Sequence, residues 1–333
     1  MVEGGTYTVG PGSREAFARD RIEAIRVERL TKIFRPGWPG QTPVTALDGL
    51  SLTVRQGEIY GFLGPNGAGK TTTLKILLGL IRATSGKAET LGRPAGDVEV
   101  RRQIGFLPES PYFYDYLTAE EFLTFYGRLA GLDRSELKKR VASLCELVGL
   151  REARARQLRK FSKGMLQRIG LAQALIHDPQ LVILDEPMSG LDPIGRKQVR
   201  DLILSLRDQG KTVFFSTHII PDVEAMCDRV GIIVKGKLMA EGRVDELAGP
   251  EQPATVEIVC DGGKLHDEPV IASAAIQVVQ SGRQWTVLLP GPERLNDVLT
   301  AIGVCGGVLR SVTPRRGSLE ELFLQKAGVQ ADR

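Results

Sequence analysis

A chain of 333 residues with 42% apolar and 25% charged residues has the composition of a globular protein of two domains, one large enough for a substantial core. Its net charge of +4 is too mild to argue for nucleic acid, and no apolar run approaches the roughly 18–20 residues that span a bilayer. Cys145, Cys227, Cys260 and Cys305 stand far apart with no CxxC pair, which speaks against a disulfide framework or zinc site and for reduced thiols in the cytosol.

Residues 1–24, rich in glycine and charge, read as a mobile tail, and Met1–Asp20 lacks the apolar core of a secretory signal. Glu58–Leu63 (EIYGFL) then reads as a buried strand, and Thr72–Leu80 as a helix with Leu74, Leu77 and Leu78 on one face. Between them lies GPNGAGKTT, which fits the phosphate-loop pattern of Gly, four residues, Gly-Lys-Thr. A strand, a glycine turn and a helix N-terminus form an anion site, because free N–H groups and the helix dipole face the phosphates. Gly64, Pro65, Asn66, Gly67, Ala68, Gly69, Lys70, Thr71 and Thr72 are therefore the expected ATP cradle. Gly64, Gly67 and Gly69 allow close backbone approach, Lys70 reaches the β- and γ-phosphates, and Thr71 sets its hydroxyl on Mg²⁺. A glycine turn beside an ordinary lysine is the plainer reading, and the flanking strand and helix disfavour it.

Farther along, Ile104–Ser110 (IGFLPES) reads as a strand that runs into Glu109. Pro111–Tyr116 packs four aromatics into six residues, either as a core-facing loop or as a groove that receives a partner's helix. Leu117–Gly170 is almost wholly helix-patterned, and its basic run Arg151–Lys160 (REARARQLRK), free of aromatics, reads as a solvated helix face. Phe161–Arg168 (FSKGMLQR), taken alone, is a helix start with Ser162 as its cap. Leu181–Leu184 reads as a buried strand that ends in Asp185 and Glu186; alone, such an ending is more often a strand end that meets solvent, but downstream of a phosphate loop the carboxylates point to a nucleotide site. Beside a Mg-nucleotide, Asp185 holds the metal and Glu186 polarises the attacking water. Val213–His218 (VFFSTH) is another apolar strand, closed by His218.

From about Glu251 the texture shifts to short alternating strands (ATVEIV, AIQVV, WTVLL), a helix over Glu293–Ile302 and a strand near Val308–Val312. A last helix is marked by a capping box of Ser318 and Glu321. The expected architecture is α/β: a P-loop NTPase core over 25–248 with a helical subdomain at about 111–170, followed by a small α+β domain over 251–328 without a catalytic constellation.

Phosphate loop, FSKGM and LVILDEP in this order resemble the nucleotide-binding subunit of an ATP-binding-cassette (ABC) transporter, and the resemblance covers roughly Ile25–Leu247. FSKGM stands where that family carries Leu-Ser-Gly-Gly-Gln. The resemblance implies an ATPase in which two copies, or this chain and a paralogue, clamp ATP between them. Ser162 and Gly164 then contact the γ-phosphate held by the other copy, Asp192 lies in a loop crossing the dimer interface, and His218 hydrogen-bonds the γ-phosphate. Phe34 stacks on adenine, with Trp38 as its rival. Glu109 replaces the family's usual Gln, so its ligation of Mg²⁺ is in doubt, since a carboxylate brings charge toward the phosphate. Glu109, Lys163 and Met165 resemble the two-component exporters, whose ATPase docks on a separate membrane permease at the cytoplasmic face of the cell membrane. The C-terminal domain resembles tails of that branch, and its task stays open. The competing readings are a soluble ABC ATPase of ribosomes or DNA, and a module with a dead nucleotide site. A single phosphate loop and the short gap to FSKGM disfavour the first; the presence of Lys70, Asp185, Glu186 and His218 disfavours the second. The transported substrate does not follow from these residues.

Overall fold

In the computed structural model, residues 23–35, 42–247, 255–263, 265, 268–315, 319–320 and 322–323 are described. Strands β1 (Glu23–Phe34) and β2 (Val44–Arg55) open the chain, followed by β3 (Ile59–Leu63), α1 (Lys70–Leu77), β4 (Ser85–Thr90) and β5 (Arg93–Pro94). Next come α2 (Val98–Arg101), β6 (Ile104–Leu107), α3 (Ala119–Leu129), α4 (Arg134–Leu147), α5 (Lys163–Ala174), β7 (Leu181–Asp185) and α6 (Pro193–Asp208). β8 (Thr212–Thr217), α7 (Ile220–Met226), β9 (Arg229–Val234) and β10 (Lys237–Arg243) complete the larger part. The chain divides into two compact units between Glu241 and Gly242, upstream of the expected boundary at 248–251.

A six-stranded sheet of order β10-β9-β3-β8-β7-β6 forms the centre of the first unit, and its members β9, β3, β8, β7 and β6 run parallel. β3, β7 and β8 are buried at every position, the pattern of parallel strands covered on both faces. Tyr60 and Phe62 pack on Phe214 with ring centroids 5.5 Å apart. Parallel register places the strand ends side by side: Leu63 is level with Thr217, and Asp185 with Ser216. The loops after β3, β6, β7 and β8 therefore leave from one edge of the sheet, where ligands of open α/β sheets bind. At the opposite end, Arg229 bonds Glu58 at 3.1 Å and Glu241 at 2.7 Å, and Glu241 also accepts from the Tyr60 hydroxyl. A second sheet, β2-β1-β4-β5, is antiparallel.

The helical subdomain consists of α3, α4 and α5. Thr118 and Glu121 form a full capping box on α3, and Asp133 caps α4. Phe122, Leu123, Leu137, Val141, Leu144 and Ile169 join in one apolar cluster. The expected helix face over Arg151–Lys160 is absent; the segment holds two 3₁₀ turns, Arg151–Ala153 and Leu158–Lys160. Beyond the short bonds of those turns, its backbone pairs with residues 115–120: Leu158 N–H donates to the Leu117 carbonyl, Arg159 to Asp115, and the Arg154 and Arg156 carbonyls accept from Glu120 and Ala119. Tertiary pairing has overridden helix propensity there. The helix expected over Thr72–Leu80 spans Lys70–Leu77 and stops before Gly79, whose φ of +68° ends it.

The second unit carries α8 (Val244–Leu247), β11 (Thr255–Asp261), α9 (Pro269–Ala274), β12 (Gln277–Ser281), β13 (Gln284–Leu289), α10 (Leu295–Val304) and β14 (Val308–Arg315). The sheet order is β12-β13-β11-β14, antiparallel throughout. β11 alternates, with Val256, Ile258 and Cys260 buried, and these meet Trp285, Val287, Ile271, Val298 and Ile302 in one core. The helix expected over Glu293–Ile302 begins at Leu295, the strand near Val308–Val312 extends to Arg315, and α9 was not expected at all. Ser318 and Glu321, the capping box of the last helix, lie outside the described residues.

Candidate active site

The turn after β3 is shaped first by the protein's own backbone. A Cβ at Gly64 would strike the Ile233 carbonyl, and one at Gly69, where φ is +109°, would come within 2.6 Å of the Ala46 carbonyl. Gly67 has open space around it and a φ of +79°. Glycine is required at 64 and 69 for close packing on β9 and β2, and at 67 for the left-handed conformation, whatever further room it leaves for a phosphate. Gly69 caps α1 without a side-chain hydrogen bond, and the first turn holds no acidic residue. The helix thus presents unsatisfied N–H groups and an uncompensated positive dipole end.

Lys70 opens α1 and is 6% exposed. Its Nζ donates to the carbonyls of Gly64 at 2.7 Å and Pro65 at 3.2 Å, and lies 3.3 Å from Glu186 Oε1. This last contact is ionic only, since buried Oε1 takes part in no hydrogen bond. The other oxygen, Oε2, is 3.0 Å from Nδ1 of exposed His218. Asp185 Oδ1 accepts from the Ser216 hydroxyl, and the Glu186 N–H is held by the Ser216 hydroxyl and carbonyl, each at 3.1 Å. Ser216 was missed in the sequence, although a serine amid VFFSTH was a signal: a hydroxyl buried completely in an apolar strand needs partners.

A cavity of about 370 Å³ brings together Pro65–Thr72, Glu109, Glu186 and Val44–Ala46 of β2. Pro65–Thr72 of the expected phosphate loop and both expected glutamates thus converge, whereas Gly64, Asp185 and His218 do not line the cavity. Val44–Ala46 carried no sequence signal; the β1–β2 pairing delivers them. Phe34, 44% exposed, does not line this cavity but is the cross-strand partner of Val44, with the Lys32 ammonium 4.9 Å from its ring centre. Trp38 lies outside the described residues.

Ser162, Gly164 and Asp192 do not line this cavity. Ser162 caps α5, its hydroxyl accepting from Met165 N–H at 3.3 Å, and Asp192 caps α6 through Gly195 N–H at 3.0 Å. The aromatic run divides between its two readings. Phe113 packs on Phe122 and Tyr114 on Phe125, whereas Tyr112 and Tyr116 are 83% and 61% exposed. No described helix is long and apolar enough to cross a membrane.

Residues 47–189 match the family described as ABC transporter. An uncharacterized ABC transporter ATP-binding protein of Synechocystis sp. is 46% identical over 310 residues, 92% of this chain and 85% of the relative. The bacitracin transport ATP-binding protein of Bacillus licheniformis is 39% identical over 297 residues, 85% of this chain and 92% of its own. Among solved structures, an ATP-binding cassette seen as a dimer in a post-hydrolysis state with ADP and Pi superposes with a TM-score of 0.60 at 25% identity. That match covers 66% of this chain and 98% of that one.

Proposed function

Because this chain belongs to the ABC transporter ATP-binding proteins, we propose that it is the ATP-hydrolysing subunit of an exporter, driving a separate membrane permease. The observation that carries the reading is the convergence of Lys70 and His218 on the two carboxylate oxygens of Glu186, at 3.3 and 3.0 Å, beside an uncapped helix N-terminus. Bacitracin transport is a task of one relative, and the substrate of this chain's own permease lies with that permease.

Lys70 has three donors, two of which rest on Gly64 and Pro65. The γ-phosphate of ATP offers the third a stronger acceptor than Glu186, so nucleotide binding releases Oε1 to a water molecule. Glu186 then takes the water proton as its oxygen attacks the γ-phosphorus, and the bond to the β-phosphate oxygen breaks, leaving ADP and phosphate. His218 Nδ1 holds the second carboxylate oxygen in place. The α1 N–H groups and Lys70 stabilise charge on the phosphates throughout.

Asp185 and Thr71 suit a magnesium ion. Such an ion needs only one or two carboxylates, its other ligands being phosphates and water, so the absence of a three-residue acidic, His or Cys cluster among the described residues is compatible with it. When bound, it would neutralise phosphate charge; Glu109, which lines the same cavity, is a further candidate ligand. Ser162 and Gly164 open a helix outside this cavity, which supports their acting on the nucleotide of a second copy. Exposed Tyr112 and Tyr116 are candidate anchors for the permease at the cytoplasmic face of the membrane.

The test is recovery of Glu186→Gln with ATP from detergent-solubilised cells, followed by mass spectrometry of its companions. A polytopic membrane protein is expected. Ribosomal or DNA-bound proteins without a membrane partner would overturn the transporter assignment in favour of a soluble ATPase.

A further inference from the structure

Gln167 stands in the middle of α5 with apolar Ile169, Leu171 and Ala172 as buried neighbours, yet it is a buried amide, 6% exposed. Burial of an amide is costly unless it is hydrogen-bonded. Its Nε2 donates to the Pro187 carbonyl at 2.8 Å. That carbonyl is one residue beyond Glu186.

Glu186 has a φ of +49°, in the left-handed region that side-chain-bearing residues avoid, and it precedes a proline, which narrows its choices further. Such a conformation persists only where the surroundings hold it. On the entry side, Ser216 grips the Glu186 N–H through its carbonyl and its hydroxyl. On the exit side, Ser189 N–H donates to the Glu186 carbonyl at 3.1 Å, and Gln167 holds Pro187.

We infer that Gln167 is a positioning residue: by pinning the Pro187 carbonyl it keeps the strained turn closed and the Glu186 carboxylate aimed between Lys70 and His218. The same helix begins with Ser162 and Gly164, so one buried hydrogen bond joins the surface assigned to the other copy's nucleotide to the base of this copy's own cavity. A shift of α5 reaches Glu186 by this route. The inference rests on the reading of Glu186 as the general base, and the test separates the two.

Gln167→Met keeps the length of the side chain and removes its donor. In the full chain, kcat for ATP hydrolysis is expected to fall about ten- to a hundred-fold, the usual cost of a misplaced reacting group, with the dissociation constant for ATP unchanged. In the Glu186→Gln background the same substitution is expected to cost nothing more, because both changes act through one carboxylate. A wild-type rate in Gln167→Met, or the same fractional loss in both backgrounds, overturns the inference; the second result would mark a general packing role. A near-normal rate in Glu186→Gln alone overturns the base assignment and locates the failure there. Should the Met variant not fold, Gln167→Asn, whose amide is one methylene too short, takes its place in the same cycle.

Discussion

The two units bury their sheets by opposite rules. In the first, β3, β7 and β8 are covered at every residue; in the second, β11 alternates buried and half-buried positions. The contrast extends to polar groups. Every buried polar or charged side chain among the described residues, including Lys70, Gln167, Asp185, Glu186 and Ser216, precedes Glu241, whereas the second unit's core is apolar. Buried charge is expensive unless it is paired, and here it is paired both at the candidate site and away from it, as Glu58 is with Arg229 and Asp222 with Arg196. Among the described residues, the first unit is where buried polar side chains gather, and the second unit's core is built from apolar side chains.

The largest test of that contrast is Glu186→Gln. Turnover should fall roughly 10²–10⁴-fold, the usual worth of a general base, while ATP binding persists. Steady-state hydrolysis beside equilibrium nucleotide binding decides this, and a modest loss would remove the carboxylate from the reaction. Next comes Trp285→Ala, which hollows the second unit's core at a cost of about 3–5 kcal/mol. A denaturation curve should show that unit melting early with ATP affinity intact; a matching loss of affinity would mean that the units do not divide the work as described.

Ser216→Ala is expected to cost about 1–3 kcal/mol by removing a partner from both Asp185 and the Glu186 N–H, and to slow hydrolysis with it. Unfolding in urea and the turnover rate should both move, and a turnover rate equal to wild type would show that Ser216 only packs.

The smallest expected effect lies at the far end of the parallel sheet. Burial lifts the Glu58 carboxyl above the usual glutamate range, against the opposing pull of the Arg55 N–H and of Arg229. A carboxyl raised in the folded state gives stability that is fully present below its unfolded pKa and lost as pH rises through the folded value. Glu58→Gln has no such term, so its stability relative to wild type should improve across that window. Denaturation midpoints of both proteins, taken over that range, should diverge; parallel curves would exclude Glu58 as the source.

The phosphate loop was legible because its demands are local: a strand, a glycine turn and a helix start stand side by side in the chain, from Ile59 to Leu77. Asp185 and Glu186 stood out only in context: after LVIL alone they read as a strand end, and it is the phosphate loop upstream that marks them as candidates, both of them buried. Other features were not legible. Arg151–Lys160 carries helix-forming residues but makes four of its backbone bonds with residues 115–120, and no local pattern contains that partner. Nor does the sequence say that Gly64 and Gly69 yield to the carbonyls of Ile233 and Ala46.

What the sequence by itself determined was a set of candidate groups and most of the elements that bear them, since composition, periodicity and turn chemistry act over a few residues. Only the tertiary structure decided which groups meet. Lys70, Glu186 and His218 are far apart along the chain, yet Lys70 Nζ and His218 Nδ1 lie 3.3 and 3.0 Å from the two carboxylate oxygens of Glu186. Parallel register aligns the ends of β3, β7 and β8 and so brings their loops to one edge. The bond from Gln167 to Pro187 likewise exists because α5 packs where β7 ends, a consequence of burying apolar surface between elements that no single stretch of chain encodes.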